Sequence, residues 1–232
     1  MSSVLITGSN RGLGLEWVRQ YAGEEWRVFA TCRFPEQADE LQSLVDNTKH
    51  VTLHRLDVTQ GDQLSALRKE LKNEPIDVLI NNAGVYYEQW AQDPLGRINY
   101  DDWQHTLAVN TLGSMRVSEA LIKNVERSNK KLIVSITSHM GSIADITNAN
   151  DYAYRSSKAA LNAAMKGLSI EVREQGIGVL LLHPGWVRTR MGGDSAPLST
   201  QQSVTAMRQL VDQFTLSQSG TFLRYDGTVV PW

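Results

Sequence analysis

Short apolar runs separated by longer amphipathic stretches constrain the fold of this chain more than any other feature of the sequence. Six such runs occur, at residues 4–6, 28–30, 51–53, 78–80, 132–134 and 179–182. Brief runs without polar alternation are typical of central strands that are covered on both faces. The stretches between them predict helices over 12–23, 36–47, 61–73, 101–127, 153–174 and 200–216.

Alternation of strand and helix along the whole chain predicts an α/β fold. We expect a Rossmann-type, doubly wound and predominantly parallel sheet with helices on both faces. A length of 232 residues fits one large domain better than two. With no internal repeat or linker, residues 1–232 are predicted to form a single domain. The segment from Gly192 to Ser199 is predicted to be a long flexible loop, part of a substrate loop at 190–215 that could fold over a ligand.

Charge and cysteine content exclude several classes of function. Lys and Arg total 23, Asp and Glu total 25, and no basic tract suits a nucleic-acid backbone. The single cysteine, Cys32, has no partner for a disulfide, and the five scattered histidines provide no metal-site spacing. The chain starts without a signal-peptide pattern, and no stretch approaches about 18 apolar residues. We therefore expect a cytoplasmic protein that binds no metal, no nucleic acid and no membrane.

A glycine-rich turn follows the first predicted strand directly. Its glycines, Gly8, Gly12 and Gly14, stand between that strand and the helical pattern that begins at Leu15. Glycines at a strand-to-helix turn let the backbone approach a pyrophosphate, whose charge is favoured by the helix N-terminus. The turn therefore predicts a dinucleotide site, and the alternative is a tight turn without a ligand.

The end of the second predicted strand carries a base where an acid is expected for NAD. In NAD-preferring folds an acidic residue there holds the ribose hydroxyls, but the stretch 29–33 has none. Arg33, together with Arg11 from the glycine turn, could clamp a 2′-phosphate through charge-assisted hydrogen bonds. These residues favour NADP(H) as the cofactor, the alternative being two exposed arginines without a ligand.

Tyr154 and Lys158 form the strongest catalytic pair in the sequence. On a helix, residues four apart share one face, so the phenol and the amine can converge on one ligand. A free tyrosine has a pKa of about 10. A neighbouring ammonium favours the phenolate and is expected to lower that pKa toward the working range.

With this pair, the glycine turn and Asn81 to Gly84 after the fourth strand, the chain resembles the compact short-chain dehydrogenase/reductase family from Val4 to Trp232. The resemblance implies a seven-stranded sheet. It also implies that Asp57 and Val58 lie beside the adenine. The full set of cofactor residues is then Gly8, Asn10, Arg11, Gly12, Leu13, Gly14, Arg33, Asp57, Val58, Asn82, Ala83, Gly84, Asn110, Tyr154, Lys158, Pro184, Gly185, Val187 and Thr189.

The resemblance assigns roles to the catalytic residues Asn110, Ser138, Tyr154 and Lys158. Tyr154 would supply a proton while Ser138 donates a hydrogen bond to the same carbonyl oxygen. Lys158 would bind the nicotinamide ribose, and Asn110 would hold a water that relays protons to it. Without the family, Ser138 could equally cap a turn and Asn110 could bond its own helix.

More narrowly, the segments 138–143, 154–162, 183–189 and 226–232 resemble the branch that holds the C-factor signalling protein of myxobacteria and the insect carbonyl reductase Sniffer. Two departures stand out. Ser138 lies 16 residues before Tyr154. This is a few residues more than in many family members, so the loop between the two residues is enlarged. Arg190 stands where that branch often has aspartate, which places a positive charge near the substrate loop.

Bulky residues beside the catalytic positions predict the substrate pocket. The first set consists of His139, Met140, Tyr152, Trp186 and Met191, and a second candidate wall of Tyr86, Tyr87 and Trp90. Their few charges favour an uncharged aldehyde, ketone or quinone. Arg188 and Arg190 leave an anionic substrate as the alternative. We therefore predict an NADPH-dependent carbonyl reductase. The alternatives are a cofactor-binding signalling protein and an NAD-dependent alcohol dehydrogenase. The family resemblance also implies association through the helices at 101–127 and 153–174, as a homodimer or homotetramer.

Overall fold

Seven strands form a single sheet at the centre of the protein. The structure is a computed structural model that describes residues 1–88 and 95–232. The strands are Ser3–Thr7 (β1), Arg27–Cys32 (β2), Val51–Arg55 (β3), Val78–Asn81 (β4), Leu132–Ile136 (β5), Gly178–His183 (β6) and Thr221–Arg224 (β7). Their order is β3-β2-β1-β4-β5-β6-β7, and every neighbouring pair is parallel. The order reverses between β1 and β4, where ligands of open α/β sheets bind.

Helices cover both faces of this sheet. They are Gly12–Gly23 (α1), Asp39–Asn47 (α2), Gly61–Glu70 (α3), Tyr100–Leu107 (α4), Ser114–Glu126 (α5), Tyr152–Glu171 (α6) and Thr200–Asp212 (α7). Helices α1, α2 and α7 pack on one face, and α3, α5 and α6 pack on the other. Helix α4 packs against α6. The predicted doubly wound α/β fold is therefore confirmed.

The strand side chains alternate between two hydrophobic cores. In β1, Val4 and Ile6 point toward α1 and α7, whereas Leu5 points toward α5 and α6. All three side chains are completely buried. Burial on both faces explains why the strands read as continuous apolar runs rather than as alternating ones.

The six strands expected from apolar runs are all present, and β7 completes the seven that the resemblance implied. Its apolar part is only Phe222 and Leu223, which is too short to stand out in the sequence. Strand β7 lies at the edge of the sheet, where it pairs with β6. An isolated antiparallel bridge between Leu223 and Val229 covers part of its outer side.

The helix predicted at 101–127 is present, but it is not α-helical throughout. A π-helical turn, Ala108–Gly113, separates α4 from α5. Such turns insert an extra residue into the helical ladder and occur frequently at functional sites. The N-cap of α4 is Asn99, whose side chain accepts hydrogen bonds from the backbone of Asp101 and Asp102. The two acidic residues therefore lie in the first turn of α4.

The segment predicted as a loop after Gly192 is fastened to the residues before it. Val187 pairs with Leu198 in an isolated bridge. The Arg188 guanidinium donates to the carbonyls of Ala196 and Pro197 at 2.9 and 3.0 Å. Residues 187–198 thus form a closed loop that leads into α7.

Candidate active site

The glycine turn between β1 and α1 is built for close backbone approach. Gly8 and Gly12 have φ angles of +68° and +56°, a region that L side chains rarely adopt. A Cβ atom added to Gly14 would lie 2.1 Å from the carbonyl oxygen of Gly8. The turn therefore needs its glycines for conformation and for packing, and it leaves backbone N–H groups at the start of α1. Asn10 and Leu13 complete the turn, and Leu13 packs against the core.

The residues after β4 hold this turn in place. The Thr7 hydroxyl accepts hydrogen bonds from the backbone N–H of Asn82 and of Ala83, both at 3.0 Å. The Asn82 amide donates to the carbonyls of Thr7 and Gly8 at 2.8 and 3.2 Å. Asn82 and Ala83 thus hold the glycine turn in position through hydrogen bonds to Thr7 and Gly8.

Three arginines gather beside the glycine turn. Burial lowers the pKa of Arg11, and the positive charges of Arg190 and Arg33 lower it further. Mutual repulsion of this kind is relieved by an anion, and phosphate oxygens match the guanidinium fork. Glu36, which follows shortly after β2, forms an ion pair with Arg55 at 2.7 Å. The sequence placed the charge of Arg190 near the substrate loop. The structure shows that this charge also acts on Arg11 at the glycine turn.

Asp57 and Val58 follow β3 at the same edge of the sheet. The Asp57 carboxylate accepts hydrogen bonds from the backbone and hydroxyl of Thr59 at 2.9 and 2.7 Å. Val58 packs closely on the π-helical turn, since a Cβ at Gly113 would lie 2.5 Å from its side chain. A role beside the adenine remains a prediction for both residues.

Pro184 to Thr189 form the wall opposite the glycine turn. Gly185 has φ +83°, and a Cβ there would lie 2.5 Å from Leu198. Val187 is buried. The Thr189 methyl group lies 3.4 Å from the position of a Cβ on Gly12, so the two walls approach each other here. The Pro184 carbonyl accepts a hydrogen bond from Ser203 of α7 at 2.6 Å, which fastens this wall to the helix behind it.

Tyr154 and Lys158 lie on the buried face of α6, as their spacing predicts. The Lys158 ammonium donates to the carbonyl of Ile136 at 3.0 Å, and its Nζ lies 5.7 Å from the centre of the Tyr154 ring. Burial lowers the pKa of Lys158 to about 8 and raises the pKa of Tyr154 to about 12. The Tyr154 pKa thus shifts in the direction opposite to the sequence-based expectation, because desolvation of the buried phenolate outweighs the hydrogen bond from Ser138.

Ser138 follows β5 and faces the Tyr154 hydroxyl. A hydrogen bond from Ser138 partly offsets the effect of burial on the Tyr154 pKa. The Ser138 hydroxyl also accepts the backbone N–H of Met140 at 3.1 Å, so it caps a turn as well. Gly141 lets this turn lie directly on α6, since a Cβ there would lie 2.8 Å from the backbone of Lys158. The turn therefore brings Ser138 to the catalytic face of the helix.

Asn110 occupies the π-helical turn and is completely buried. Its side chain exchanges hydrogen bonds with the backbone of Val85 at 2.8 and 2.9 Å and donates to the Ser157 hydroxyl at 2.9 Å. It therefore bonds Val85 rather than its own helix. Gly84 borders both polar groups, because a Cβ there would lie 3.3 Å from Asn110 Oδ1 and 3.7 Å from Lys158 Nζ. A water relay between these groups remains a prediction.

The residues predicted for the substrate pocket do not all meet. Met191 approaches the Tyr154 hydroxyl, with its sulfur at 4.0 Å. Trp186 is 56% exposed and donates from its indole nitrogen to the Gly192 carbonyl at 2.7 Å. His139 Nε2 forms a hydrogen bond with the Asp145 carboxylate at 2.6 Å.

Met140 and Tyr152 line a separate cavity of about 410 Å³. Its wall contains residues of α6 such as Arg155 and Ala159, and neither Tyr154 nor Lys158 contributes to it. Of the second predicted wall, Tyr86 stacks on Tyr154 with ring centres 4.3 Å apart. Tyr87 contacts His105 instead, and Trp90 lies outside the described residues.

Three contributors to the site carry no local signal in the sequence. The Ser157 hydroxyl donates to the Tyr154 carbonyl at 2.8 Å and links it to Asn110. The Ile136 carbonyl holds Lys158, and the Glu88 carboxylate accepts from the first turn of α6. Each acts through a contact between residues that lie far apart in the chain or through a backbone atom, so residue type and spacing could not reveal it.

Comparison with known proteins identifies the class to which this fold and site belong. The sequence profile of the short chain dehydrogenase family matches residues 2–198. The chain therefore belongs to this family, as its motifs indicated, and is an oxidoreductase of the short-chain dehydrogenase type.

Individual relatives narrow the comparison. The C-signal protein of Myxococcus xanthus is 44% identical over 158 residues, which are 68% of this chain and 93% of that protein. The solved structure of the carbonyl reductase Sniffer of D. melanogaster has a TM-score of 0.92 and 35% identity, and covers 100% of both chains. The NADPH-bound carbonyl reductase from chicken fatty liver has a TM-score of 0.92 and 31% identity, and covers 100% of this chain and 99% of that chain.

Two further findings concern residues 1–88 and 95–232 only. None of their helices is long and apolar enough to cross a membrane. No group of three or more His, Cys, Asp or Glu side chains in this part of the chain could hold a metal ion.

Proposed function

We propose that this protein is an NADPH-dependent carbonyl reductase that uses Tyr154 as the proton donor. The observation that carries the proposal is the convergence of Ser138 and Lys158 on a buried Tyr154, next to a glycine turn at the switch point of the sheet. The substrate would be an aldehyde, ketone or quinone. The similarity to two carbonyl reductases supports this reaction.

The residues around the glycine turn fit NADP(H). The turn offers backbone N–H groups at a helix N-terminus, where a pyrophosphate is favoured. Arg11, Arg33 and Arg190 raise the local positive potential. This potential favours the 2′-phosphate of NADP(H), a group that NAD lacks. When bound, the cofactor supplies a hydride to the carbonyl carbon. The similar carbonyl reductase from chicken fatty liver is bound to NADPH.

The protein's own groups would handle the charge that develops on the carbonyl oxygen. With a pKa of about 12, Tyr154 keeps its proton at neutral pH and can give it to that oxygen. Ser138 would donate a second hydrogen bond, and a preorganised donor of this kind is worth about 3 kcal/mol in other enzymes. Lys158, with a pKa of about 8 before any ligand binds, would bind the ribose and restore protons to Tyr154.

Screening the purified protein for NADPH oxidation against a panel of aldehydes, ketones and quinones tests this function. We expect turnover of at least one uncharged carbonyl compound, and a clear preference for NADPH over NADH. Tight NADPH binding with no turnover across the panel would contradict the proposal and favour a cofactor-binding signalling protein. The identity with the C-signal protein is the specific observation behind that second candidate.

Oxidation of an alcohol with NAD is the third candidate, and the same panel addresses it. In this test, alcohols are supplied with NAD or with NADP. The third candidate requires that alcohol oxidation with NAD is faster than carbonyl reduction with NADPH. The arginine cluster at the glycine turn argues against that result, since no acid in the stretch 29–33 is available for the ribose hydroxyls.

We also propose that the protein assembles as a homodimer or homotetramer through α4, α5 and α6. Leu112, between α4 and α5, and Ile170, near the end of α6, are 50% and 68% exposed, which suits a covered interface. Light scattering during size-exclusion chromatography should give twice or four times the chain mass. A monomer at micromolar concentration would contradict this proposal and leave the proposed reaction untouched.

A further inference from the structure

The first turn of α6 carries Tyr154, yet this helix lacks an ordinary N-cap. The N-cap residue, Asp151, makes no side-chain hydrogen bond to the helix. Asn150 and Asp151 have φ angles of +83° and +57°, two consecutive left-handed residues that are not glycine and therefore carry backbone strain. The first N–H groups of a helix have no partner within it. Something else must satisfy these groups and hold the strained turn.

Glu88 takes the place of the missing cap. Its two carboxylate oxygens accept hydrogen bonds from the backbone N–H groups of Ala153 and Tyr154, at 2.9 and 2.8 Å. A carboxylate is favoured at this end of a helix by the helix dipole, and charged acceptors make stronger bonds than neutral ones. The catalytic tyrosine is therefore held through its own backbone N–H by a residue 66 positions away in the chain.

Tyr86, two residues before Glu88, holds the same turn from the side. Its hydroxyl donates to the Asp151 carboxylate at 2.5 Å, and its ring stacks on Tyr154 with centres 4.3 Å apart at 30°. Burial and the Asp151 carboxylate both raise the pKa of Tyr86, so the hydroxyl stays protonated and remains a donor. The Asp151 carboxylate is thereby engaged by Tyr86 rather than by the helix.

Both residues belong to a short segment, residues 85–88, that is fastened at its other end. Val85 exchanges two backbone hydrogen bonds with the buried Asn110 side chain. The segment thus runs from the π-helical turn to the N-terminus of α6 and contacts the Tyr154 ring on the way. Its hydrogen bonds and ring contact restrict both the position of the Tyr154 backbone and the orientation of the phenol.

We propose that Glu88 and Tyr86 are positioning residues for Tyr154. Glu88 fixes the position of the Tyr154 backbone, and Tyr86 fixes the plane of the phenol ring. The Tyr154 hydroxyl then lies within reach of a substrate carbonyl oxygen. Misplacement of a reacting group by about 1 Å can cost as much as 100-fold in rate. This inference rests on the proposed function for its catalytic consequence, but the contacts themselves can be tested without turnover.

Four variants of the full chain test the proposal: Glu88→Ala, Glu88→Gln, Tyr86→Leu and Tyr86→Phe. We expect Glu88→Ala and Tyr86→Leu to lower kcat about 10- to 100-fold while the Kd for NADPH changes by less than about threefold. Glu88→Gln keeps one acceptor oxygen and Tyr86→Phe keeps the ring, so each should restore part of the loss. Glu174→Ala, at an exposed position outside α4, α5 and α6, is the matched control and should behave as the unaltered protein.

Hydrogen exchange of the Ala153 and Tyr154 amides gives a readout that needs no substrate. Protection of both amides should fall at least tenfold in Glu88→Ala, and it should be partly retained in Glu88→Gln. Unchanged protection in Glu88→Ala would overturn the proposal, as would an unchanged kcat in both Glu88→Ala and Tyr86→Leu well below their melting temperatures. If the unaltered protein reduces no carbonyl compound, the proposed function fails, and amide protection alone then decides whether Glu88 holds the Tyr154 turn.

Discussion

The cofactor side and the substrate side of the candidate active site are constructed differently. On the cofactor side, backbone contacts and glycines leave no spare room, and Asn82 and Thr7 fasten the turn with hydrogen bonds of 2.8 to 3.2 Å. On the substrate side, Met191 and Trp186 are 37% and 56% exposed, and side chains provide most of the contacts. The difference indicates that the cofactor side tolerates little change, whereas the substrate side can vary without loss of the fold.

The strictest test of this comparison is Gly14→Ala. The added Cβ would lie 2.1 Å from the Gly8 carbonyl oxygen, so we expect loss of folded protein or a fall of more than about 3 kcal/mol in the free energy of unfolding. Gly23→Ala, in the same helix with no atom within 4 Å of its Cβ, is the control. Urea unfolding monitored by circular dichroism compares them. Equal stability of the two variants would show that the cofactor side is not tightly packed.

Ser138→Ala should have the next largest effect, and on rate rather than on stability. Loss of one donor to the developing oxyanion is expected to lower kcat about 100-fold or more, as measured by steady-state NADPH oxidation. Ser138→Thr keeps the hydroxyl and should recover much of the rate. If Ser138→Ala retains more than about a third of the activity, Ser138 merely caps the turn at Met140.

Arg33→Asp probes cofactor selection. Replacing one cation of the arginine cluster with an acid should raise the KM for NADPH about tenfold or more and lower the preference over NADH. Arg68→Asp, on the exposed side of α3, makes the same change of charge away from the site. If Arg33→Asp leaves the KM values for NADPH and NADH unchanged, Arg33 does not clamp the 2′-phosphate.

The smallest effect concerns the buried Lys158 in the protein without cofactor. Its folded pKa is about 8, below the ordinary value of about 10.4, so between these values the unfolded chain binds the extra proton. The contribution of Lys158 to the free energy of unfolding therefore rises with pH, by about 1 to 2 kcal/mol from pH 7.5 to 9.5. Lys158→Met should lack this rise in denaturant titrations at the two pH values. Parallel pH profiles for both proteins would refute the lowered pKa.

Features of the cofactor side could be predicted from the sequence more completely than features of the substrate side. The cofactor side rests on local patterns, so the glycine turn, Asn82 and the strand ends are recognisable from residue type and spacing. Strand β7 escaped notice because only Phe222 and Leu223 form its apolar part. The π-helical turn between α4 and α5 was not predicted, because Ala108–Gly113 continues a helical pattern and only the hydrogen-bond ladder changes.

The substrate side depends on contacts between distant segments, and prediction there was poorer. Met140 and Tyr152 flank catalytic residues in the sequence, yet both line a cavity to which neither Tyr154 nor Lys158 contributes. Glu88 has no recognisable motif, since its role arises only when the segment after β4 meets the start of α6. The direction of the Tyr154 pKa shift was also inaccessible, because it depends on how completely the phenol is buried.

The most direct test of the proposed reaction is turnover by Tyr154→Phe, measured together with its Kd for NADPH. We expect kcat to fall about 1000-fold or more while the Kd for NADPH stays within about threefold, because the ring and its stacking partner Tyr86 remain. Tyr21→Phe, at the end of α1 opposite the glycine turn, should leave both values unchanged. Carbonyl reduction by Tyr154→Phe at more than about a tenth of the original kcat would contradict the assignment of Tyr154 as the proton donor.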